Sequence, residues 1–317
     1  MKLALAGDTM LGRRVADALR TRPPSSLFDP AVVDAFHEAD LAVLNLECCI
    51  STTGTRWPDP NKPFFFRAPP TATEALLLLG VSCVTLANNH ALDFGQDALL
   101  DMFGHLEDAG IAWVGAGPDV ERARQPAYLE ANGTRLAVVG VTDHPEEYAA
   151  GSTQPGVAHA DLHHGVPTWL TDEIADAAGQ ADAVLVTPHW GPNMTSAPRP
   201  YVRHAADALR RAGATLVAGH SAHVFHGVED TVLYDLGDLV DDYAIDAVLR
   251  NDLGLLFLVT LDDAPRRLEA VPLALDYCHT RLARGGDLAW IHERFRTACH
   301  AFGTEVERDG SRLVIQW

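Results

Sequence analysis

The stretch VSCVTLANNHALDFG, residues 81–95, joins a strand, a polar turn and the start of a helix. Its first part, Val81–Ala87, is a short apolar run containing β-branched residues, which predicts a buried strand. The polar group Asn88–His90 follows where that strand ends. The next segment, Gln96–Ala109, has apolar residues at spacings of three and four and predicts an amphipathic helix.

The same unit recurs along the first two thirds of the chain. Strands are predicted at Leu3–Ala6, Leu41–Leu46, Val81–Ala87, Ile111–Val114, Leu136–Val141, Ala183–Pro188, Thr215–Ala218, Val232–Asp235, Leu255–Leu261 and Leu268–Leu275. Helices are predicted at Arg13–Thr21, Ala31–Glu38, Thr71–Leu79, Gln96–Ala109, Pro167–Ala178, Tyr201–Ala212 and Leu288–Ala301. This alternation favours an α/β fold with a mostly parallel sheet and right-handed crossovers. The hairpin-like spacing of the last third predicts a second, more antiparallel sheet.

The chain has no readable linker, internal repeat or low-complexity tract, so we predict one domain over residues 1–317. Two stretches rich in Pro and Gly, Thr53–Pro63 and Asp143–Gly165, predict long loops. Loops of this length within a compact domain are usually lids or binding segments.

Composition excludes several classes of protein. Of 317 residues, 47% are hydrophobic and 21% are charged, which is typical of a soluble globular protein and not of a disordered chain or a coiled coil. The 43 acidic and 24 basic residues give a net charge of −19. Such a charge repels nucleic acid at long range, so no nucleic-acid partner is predicted.

Cysteine content and the N-terminus indicate the compartment. The five cysteines form no CxxC pair, which argues against a disulfide framework and fits a reducing cytosol. The first residues do not have the pattern of a signal peptide, and no run approaches the ~20 apolar residues that cross a bilayer. We therefore predict a cytoplasmic protein with no membrane partner, and the oligomeric state stays open.

Side chains able to bind a metal or move a proton stand where predicted strands end. They are Asp8, Glu47, Asn88, Asn89, His90, Asp93, His189, His220, His223, Asp235 and Asp238. In an open α/β sheet, ligands bind in the crevice beyond the carboxyl ends of the strands. Each residue alone has a structural explanation, such as a helix cap for Asp8, but their joint position at strand ends predicts a functional centre.

Seven short motifs resemble the ordered motifs of the CapA-like family, named for capsule synthesis proteins. They are GDTMLGR (7–13), NLE (45–47), LANNHALDFG (86–95), GAG (115–117), HWG (189–191), GHSAHV (219–224) and LGD (236–238). This family belongs to the calcineurin-like metallophosphoesterase superfamily. The resemblance implies a four-layer α/β/β/α sandwich with a metal site at the strand C-termini, and His90 as the acid/base histidine.

The chain departs from the superfamily pattern at several ligand positions. The usual Asp-x-His is Asp8-Thr9-Met10 here, and the usual histidine pair aligns with Ser221 and His223. A common glutamate after HWG is Asn193. Nitrogen ligands are therefore lost, and a two-metal phosphoesterase centre is not expected.

The ligands that remain predict one divalent cation and no organic cofactor. The resemblance implies that the metal ligands are Asp8, Glu47, Asn89, His189 and His223. Because oxygen ligands dominate, Ca²⁺ is favoured, while Mn²⁺, Mg²⁺ and Zn²⁺ stay open.

Carboxylates near the remaining histidines predict acid/base pairs. The predicted catalytic residues are His90, Asp93, His220, His223 and Asp238. A carboxylate beside an imidazole fixes its tautomer and raises its basicity. Two such pairs on opposite sides of a carbon would suit a two-base epimerase.

The leading hypothesis is a metal-dependent peptide epimerase, similar to a lasso-peptide branch of the family. That resemblance implies inversion at a Cα of a precursor peptide, at its C-terminal Trp, and so a peptide partner. Arg13, Trp190 and Arg67 are the candidate substrate contacts. The alternatives are a metal-dependent phosphoesterase or hydrolase, a CapA-type capsule or poly-γ-glutamate synthesis protein, and a non-catalytic protein with a structural metal.

Overall fold

The computed structural model describes residues 1–262 and 264–317. Its strands in chain order are β1 (Lys2–Thr9), β2 (Leu41–Leu46), β3 (Cys49–Ile50), β4 (Arg67–Ala68), β5 (Cys83–Thr85), β6 (Ala112–Val114), β7 (Ala116–Gly117), β8 (Ala127–Ala131), β9 (Thr134–Thr142), β10 (Gly156–Val157), β11 (Ala183–His189), β12 (Leu216–Ala218), β13 (Val228–Glu229), β14 (Val232–Leu233), β15 (Asp238–Val240), β16 (Leu253–Leu261), β17 (Pro265–Asp276), β18 (His279–Leu282), β19 (Glu307–Asp309) and β20 (Arg312–Gln316).

The predicted helices begin and end close to their predicted bounds, and a short helix that the sequence did not predict, α5, joins them. The helices of the described residues are α1 (Arg13–Thr21), α2 (Pro30–Phe36), α3 (Ala72–Leu78), α4 (Gly95–Asp108), α5 (Val120–Arg124), α6 (Thr168–Ala178), α7 (Pro200–Ala212) and α8 (Gly285–His300). Short 3-10 turns cover Pro24–Leu27, Glu146–Tyr148 and Leu162–His164. Within the described ranges, no helix is long and apolar enough to cross a membrane.

Two sheets organise the described residues. The larger has ten strands in the order β19-β20-β17-β16-β1-β2-β5-β6, with β15 also pairing β1 and β18 also pairing β17. The smaller has six strands in the order β13-β14-β12-β11-β9-β8. Strands β1, β2, β5 and β6 run parallel, as the strand–helix alternation predicts.

Side chains of the larger sheet alternate between two hydrophobic layers. In β1, Ala4 and Ala6 pack with the helices α1–α4, whereas Leu3 and Leu5 pack between the two sheets. The smaller sheet has its own outer layer, where Val139 and other residues meet α6 and α7. This period-two burial produces helix, sheet, sheet and helix layers. The predicted four-layer α/β/β/α sandwich is confirmed.

The prediction of a second, antiparallel sheet in the last third is wrong. Strand β16 pairs antiparallel with β1 and extends the larger sheet, and β17 and β20 follow it. The reason is burial on both faces: Leu256 packs against the helix layer and Phe257 packs between the sheets. A strand with two apolar faces is most stable inside the sandwich. The second sheet comes instead from the middle of the chain.

A close approach of two backbone segments places the ends of β1 and β15 side by side. The amide of Asp8 donates to the Gly237 carbonyl at 2.8 Å, and Asp8 is paired with Asp238 across the two strands. A Cβ on Gly7 would lie 1.8 Å from that carbonyl oxygen. Position 7 therefore needs a glycine, because any side chain would separate the two strands.

We predict that Gly7→Ala lowers the free energy of unfolding by ~1–3 kcal/mol or more, as overpacking does in a closely packed interior. The matched control is Gly104→Ala in α4, where a Cβ would meet no atom within 4 Å. That change should stabilise the protein by ~0.5–1 kcal/mol. Chemical denaturation of both variants measures the difference. Equal stabilities would contradict the role of Gly7.

Candidate metal centre

Three buried side chains from different segments converge beyond the ends of the strands. Asp8 lies in β1, Glu47 directly follows β2, and His223 lies in the loop after β12. One ligand atom from each lies within 4.8 Å of the others. Their exposed fractions are 1%, 0% and 7%. A carboxylate pair and an imidazole at this spacing form a group that can hold a divalent cation.

Buried polar atoms without a hydrogen-bond partner fit the same interpretation. Within the described residues, they include Glu47 Oε1, Asn89 Oδ1 and His189 Nε2. Buried polar atoms are normally paired, so unpaired oxygens and nitrogens at predicted ligand positions are consistent with a bound cation. The main-chain oxygen of Asn89 accepts a bond from Lys62 Nζ at 2.7 Å.

Several carboxyl groups are buried around this group, and burial raises their pKa values. Burial raises the pKa of Glu47, and the nearby charges of Asp8 and Asp238 raise it further. Burial likewise raises the pKa values of Asp235 and Asp238, and that of Asp241 to about 6. Several carboxylates in a dry site repel each other unless a cation compensates them.

The pKa values of Asp8 and His189 depend on different neighbours. Histidines surround the Asp8 carboxylate, whereas the carboxylate of Asp8 lies near His189. Burial opposes ionisation of Asp8, but His220, His189 and His223 together hold its pKa below the usual range. Burial holds the pKa of His189 well below its usual value, although Asp8 opposes this. His189 is therefore neutral, which is the form that ligates a metal.

A layer of hydrogen bonds orients Asp8. Asn45 Nδ2 donates to Asp8 Oδ1 at 2.7 Å and lies 3.3 Å from His189 Nδ1. Asn88 Nδ2 donates in turn to Asn45 Oδ1 at 2.9 Å. Sequence reasoning missed Asn45, although it stands in the NLE motif two residues before Glu47. Asn45 stands among apolar residues of β2, so the sequence pattern does not mark it as a site residue, although its side chain points to the site.

Ser221 explains one departure from the superfamily pattern. Its main-chain amide donates to Asp8 Oδ2 at 3.2 Å, and its hydroxyl donates to the Gly191 carbonyl at 2.9 Å. The position thus contacts Asp8 through the backbone instead of offering an imidazole. Met10 is fully buried, and its sulfur accepts the Gly12 amide at 3.1 Å. Neither residue supplies a second set of nitrogen ligands.

His90 and Asp93 form the pair that the sequence predicts. Their Nδ1 and Oδ2 atoms lie 2.7 Å apart, and Asp93 Oδ2 also accepts the Phe66 amide at 2.6 Å. Lys62 Nζ lies 3.0 Å from Asp93 Oδ1. Burial lowers the pKa of His90, and Asp93 opposes that shift. Sequence reasoning missed Lys62, although its loop, residues 53–63, was predicted as a binding segment.

His223 and Asp238 also pair, with Nδ1 and Oδ1 2.8 Å apart, while His223 Nε2 lies 3.9 Å from Glu47 Oε1. This is the arrangement of a metal-binding histidine oriented by a carboxylate. His220 is different: its Nε2 is 3.0 Å from Thr187 Oγ1 and its Nδ1 is 3.2 Å from Asp8 Oδ1. His220 is 2% exposed and lies against Asp8, so it has little access to a substrate.

The three candidate substrate contacts have different environments. Arg13 forms an ion pair with Asp242 at 2.9 Å, and the Arg67 guanidinium lies 4.1 Å from the Phe94 ring centroid. Trp190 requires a correction, because its ring is 2% exposed and packs in the core over the smaller sheet. Its Nε1 donates to the Tyr234 carbonyl at 2.9 Å. The tryptophan stabilises the fold and is not a pocket wall.

Comparison with known families identifies the chain. The family model described as bacterial capsule synthesis protein PGA_cap matches residues 2–243. The chain belongs to this family. A probable polyglutamine synthesis accessory protein of Mycobacterium tuberculosis is 33% identical over 288 residues, covering 84% of this chain and 74% of the relative. The CapA-like resemblance is therefore confirmed.

A second relative and two solved structures are less similar to this chain in sequence. The PGA biosynthesis protein CapA of Bacillus subtilis is 29% identical over 248 residues, which is 76% of this chain and 63% of the relative. A 5'-nucleotidase structure from Candida albicans gives 11% identity and a TM-score of 0.49, covering 96% of this chain and 58% of that chain. Haemophilus influenzae NAD nucleotidase gives 10% identity and a TM-score of 0.40, covering 90% and 49%. At these TM-scores, we draw no conclusion from the two structures.

The names of these PGA_cap relatives concern capsule and polymer synthesis. They do not support the lasso-peptide epimerase branch over the rest of the family. The capsule and poly-γ-glutamate alternative agrees with them better than the epimerase hypothesis does.

We predict that divalent cations stabilise the metal-stripped protein through Asp8, Glu47 and His223. At a hundredfold excess over Kd, the gain is ~2.7 kcal/mol, because the ion binds the folded state alone. Glu47→Gln should abolish this rise in Tm, whereas Glu107→Gln, an exposed residue on α4, should retain it. Thermal unfolding with Ca²⁺, Mn²⁺, Mg²⁺ and Zn²⁺ measures both. A full rise in Tm in Glu47→Gln would exclude this group as the site.

Proposed function

We propose that this protein is a metal-dependent, CapA-type enzyme of capsule or poly-γ-glutamate synthesis. In this proposal, its centre performs acid/base chemistry on the amide chain of a glutamate polymer. The observation that carries the proposal is the buried group of Asp8, Glu47 and His223 beside the His90–Asp93 pair. Family membership and the names of the relatives support the choice of polymer.

Asp8, Glu47 and His223 would hold the cation, and Asn89 and His189 have unpaired atoms able to complete its ligand set. Carboxylate and amide oxygens suit Ca²⁺ or Mg²⁺, while the imidazoles also suit Mn²⁺ or Zn²⁺. When bound, the cation would supply Lewis-acid stabilisation of negative charge that develops on a carbonyl oxygen.

Aromatic contacts connect the acid/base pair to the metal group. The Phe66 ring stacks on His90 with centroids 3.9 Å apart, and it lies 5.9 Å from the Tyr243 ring. Tyr243 in turn has its ring 5.3 Å from His223 and its hydroxyl 3.4 Å from Glu47 Oε2. Two aromatic rings therefore form a continuous path of contacts from His90 to His223 and Glu47.

His90 is the group best suited to carry a proton. Asp93 holds its Nδ1, which leaves Nε2 to exchange a proton with a substrate. The His90 side chain is 9% exposed, so its environment favours the neutral imidazole that a general base requires. Lys62 and the Phe66 amide fix Asp93, and Asp93 fixes the His90 tautomer.

The same geometry favours one proton carrier over two. If His223 binds the cation through Nε2, it cannot also serve as a second base, because Asp238 already occupies its Nδ1. His220 lies between Thr187 and Asp8 and is almost fully buried. A two-base epimerase would need one of these histidines to face the substrate, so we rank it below polymer chemistry.

A single assay tests the proposed reaction. The metal-loaded protein is incubated in D₂O with an oligo-γ-glutamate, a peptide ending in Trp and a phosphodiester. We expect a cation-dependent shortening of the oligoglutamate, in which water hydrolyses one amide bond to give a new carboxylate and a new amine, read by mass spectrometry. His90→Gln should lower this rate by ~10²–10⁴-fold, the usual contribution of a general acid or base.

The matched control is His105→Gln in α4, where a partly exposed histidine lies 3.5 Å from Asp101. This variant should keep the full rate. Deuterium at one Cα of the Trp peptide, with the oligoglutamate unchanged, would replace the proposal with peptide epimerisation. Hydrolysis of the phosphodiester alone would replace it with phosphoesterase chemistry.

We also predict that Lys62→Met moves the acidic limb of the pH–rate profile, where activity rises with pH. Besides burial, the charge of Lys62 lowers the pKa of His90, so its removal should raise that pKa. A general base acts when neutral, and the onset of activity should therefore shift to higher pH. Lys62→Arg, which keeps the charge, should restore the original onset. A pH–rate profile with NMR titration of His90 measures the shift, and a fall in pKa would contradict it.

A further inference from the structure

A groove of about 440 Å³ beside α1 has an unusual charge for this acidic chain. Its lining includes the five arginines Arg13, Arg14, Arg20, Arg56 and Arg67, and the acidic residues Asp17 and Asp242. The excess of positive charge is notable because the whole chain carries −19. An acidic protein that gathers arginines on one surface favours an anionic ligand there.

Two of these arginines, Arg56 and Arg67, have a positive charge that remains available to bind an anion. Arg13 pairs with Asp242 at 2.9 Å, and Asp17 accepts from both Arg14 and Arg20. Within the described residues, Arg56 and Arg67 form no ion pair with a carboxylate. Each lies instead over an aromatic ring: Arg56 is 5.1 Å from the Phe65 centroid and Arg67 is 4.1 Å from that of Phe94.

These rings hold the two guanidinium groups without neutralising them. Stacking on an aromatic face orients the planar fork and leaves its N–H donors at the edge free to bind. Arg67 uses one donor on the Thr53 carbonyl at 3.0 Å. A guanidinium oriented in this way can bind a carboxylate through two parallel hydrogen bonds.

The groove also lies next to the metal centre. The Arg13 guanidinium lies 5.6 Å from the Phe66 centroid and 5.8 Å from that of Tyr243. These are the two rings that contact His90 and His223. A chain bound along the arginines would thus pass within one aromatic layer of the centre.

We propose that this groove binds the carboxylates of an anionic peptide chain, with Arg56 and Arg67 as its principal contacts. The aromatic lining of Phe65, Phe94 and Tyr277 suits the methylene groups of glutamate better than it suits a compact inorganic anion. The choice of a glutamate polymer rests on the proposed function, whereas the binding of an anionic chain does not require the metal.

Fluorescence anisotropy tests the proposal on the full chain, with a labelled ten-residue oligo-γ-glutamate as probe. The double variant Arg56→Gln/Arg67→Gln should raise Kd at least tenfold and weaken the dependence of binding on salt, since fewer charges take part. The corresponding double lysine variant should recover only part of the affinity, because an ammonium lacks the planar fork. Arg211→Gln, an exposed arginine on α7, is the matched control and should leave Kd unchanged.

Three results would overturn the proposal. They are equal binding of a ten-residue oligoglutamine, displacement of the probe by millimolar inorganic phosphate, and an unchanged Kd in the double glutamine variant. Cation-induced thermal stabilisation of that double variant should be intact, which verifies its fold.

The Glu47→Gln variant separates this inference from the proposed function. We expect it to bind the probe as the unaltered protein does, without turnover. Probe binding by the unaltered, metal-loaded protein with no reaction on oligoglutamate would refute the proposed chemistry and leave the groove standing. Turnover without arginine-dependent binding would refute the groove alone.

Discussion

Negative charge buried at the ends of parallel strands is the constraint around which this molecule is built. Asp8, Glu47 and Asp238 lie almost entirely out of water, in a region where isolated carboxylates are strongly disfavoured. Histidines and a network of amides surround them, and the unpaired oxygens among them are consistent with a bound cation. Binding of an ion would compensate the buried charge and so couple metal binding to folding.

The backbone around the centre is shaped to hold these groups. Ser221 and His223 have φ values of 108° and 59°, in the left-handed region that side chains other than glycine rarely adopt. The turn costs conformational energy. It directs the Ser221 amide to Asp8 and, two residues later, the His223 ring to Glu47. Strained residues of this kind persist where tight packing fixes them, as it does between the two sheets here.

The departures from the superfamily pattern have a common consequence. Met10 enters the hydrophobic core under the helices, and Ser221 contacts Asp8 through its main chain. Neither position offers an imidazole to a cation, and of the two Ser221 contacts Asp8. The proposed centre combines one cation with a nearby His–Asp pair, and the proposed groove of arginines outside it would bind an anionic chain.

The sequence by itself indicated the parallel part of the sheet and the candidate ligand positions. The strand–helix alternation and the polar groups after the strands are local patterns, so the parallel strands and the His90–Asp93 pair could be predicted from them, whereas the four-layer sandwich was implied by the resemblance to the CapA-like family. Partners distant in sequence could not be predicted. Asn45, Lys62 and Tyr243 look like ordinary strand or loop residues, and the sequence leaves Trp190 open between a pocket wall and a core residue until its burial is seen. Only tertiary structure decided that β16 pairs with β1, that His220 lies against Asp8 and that Arg56 and Arg67 line one groove, because these contacts depend on how distant segments pack.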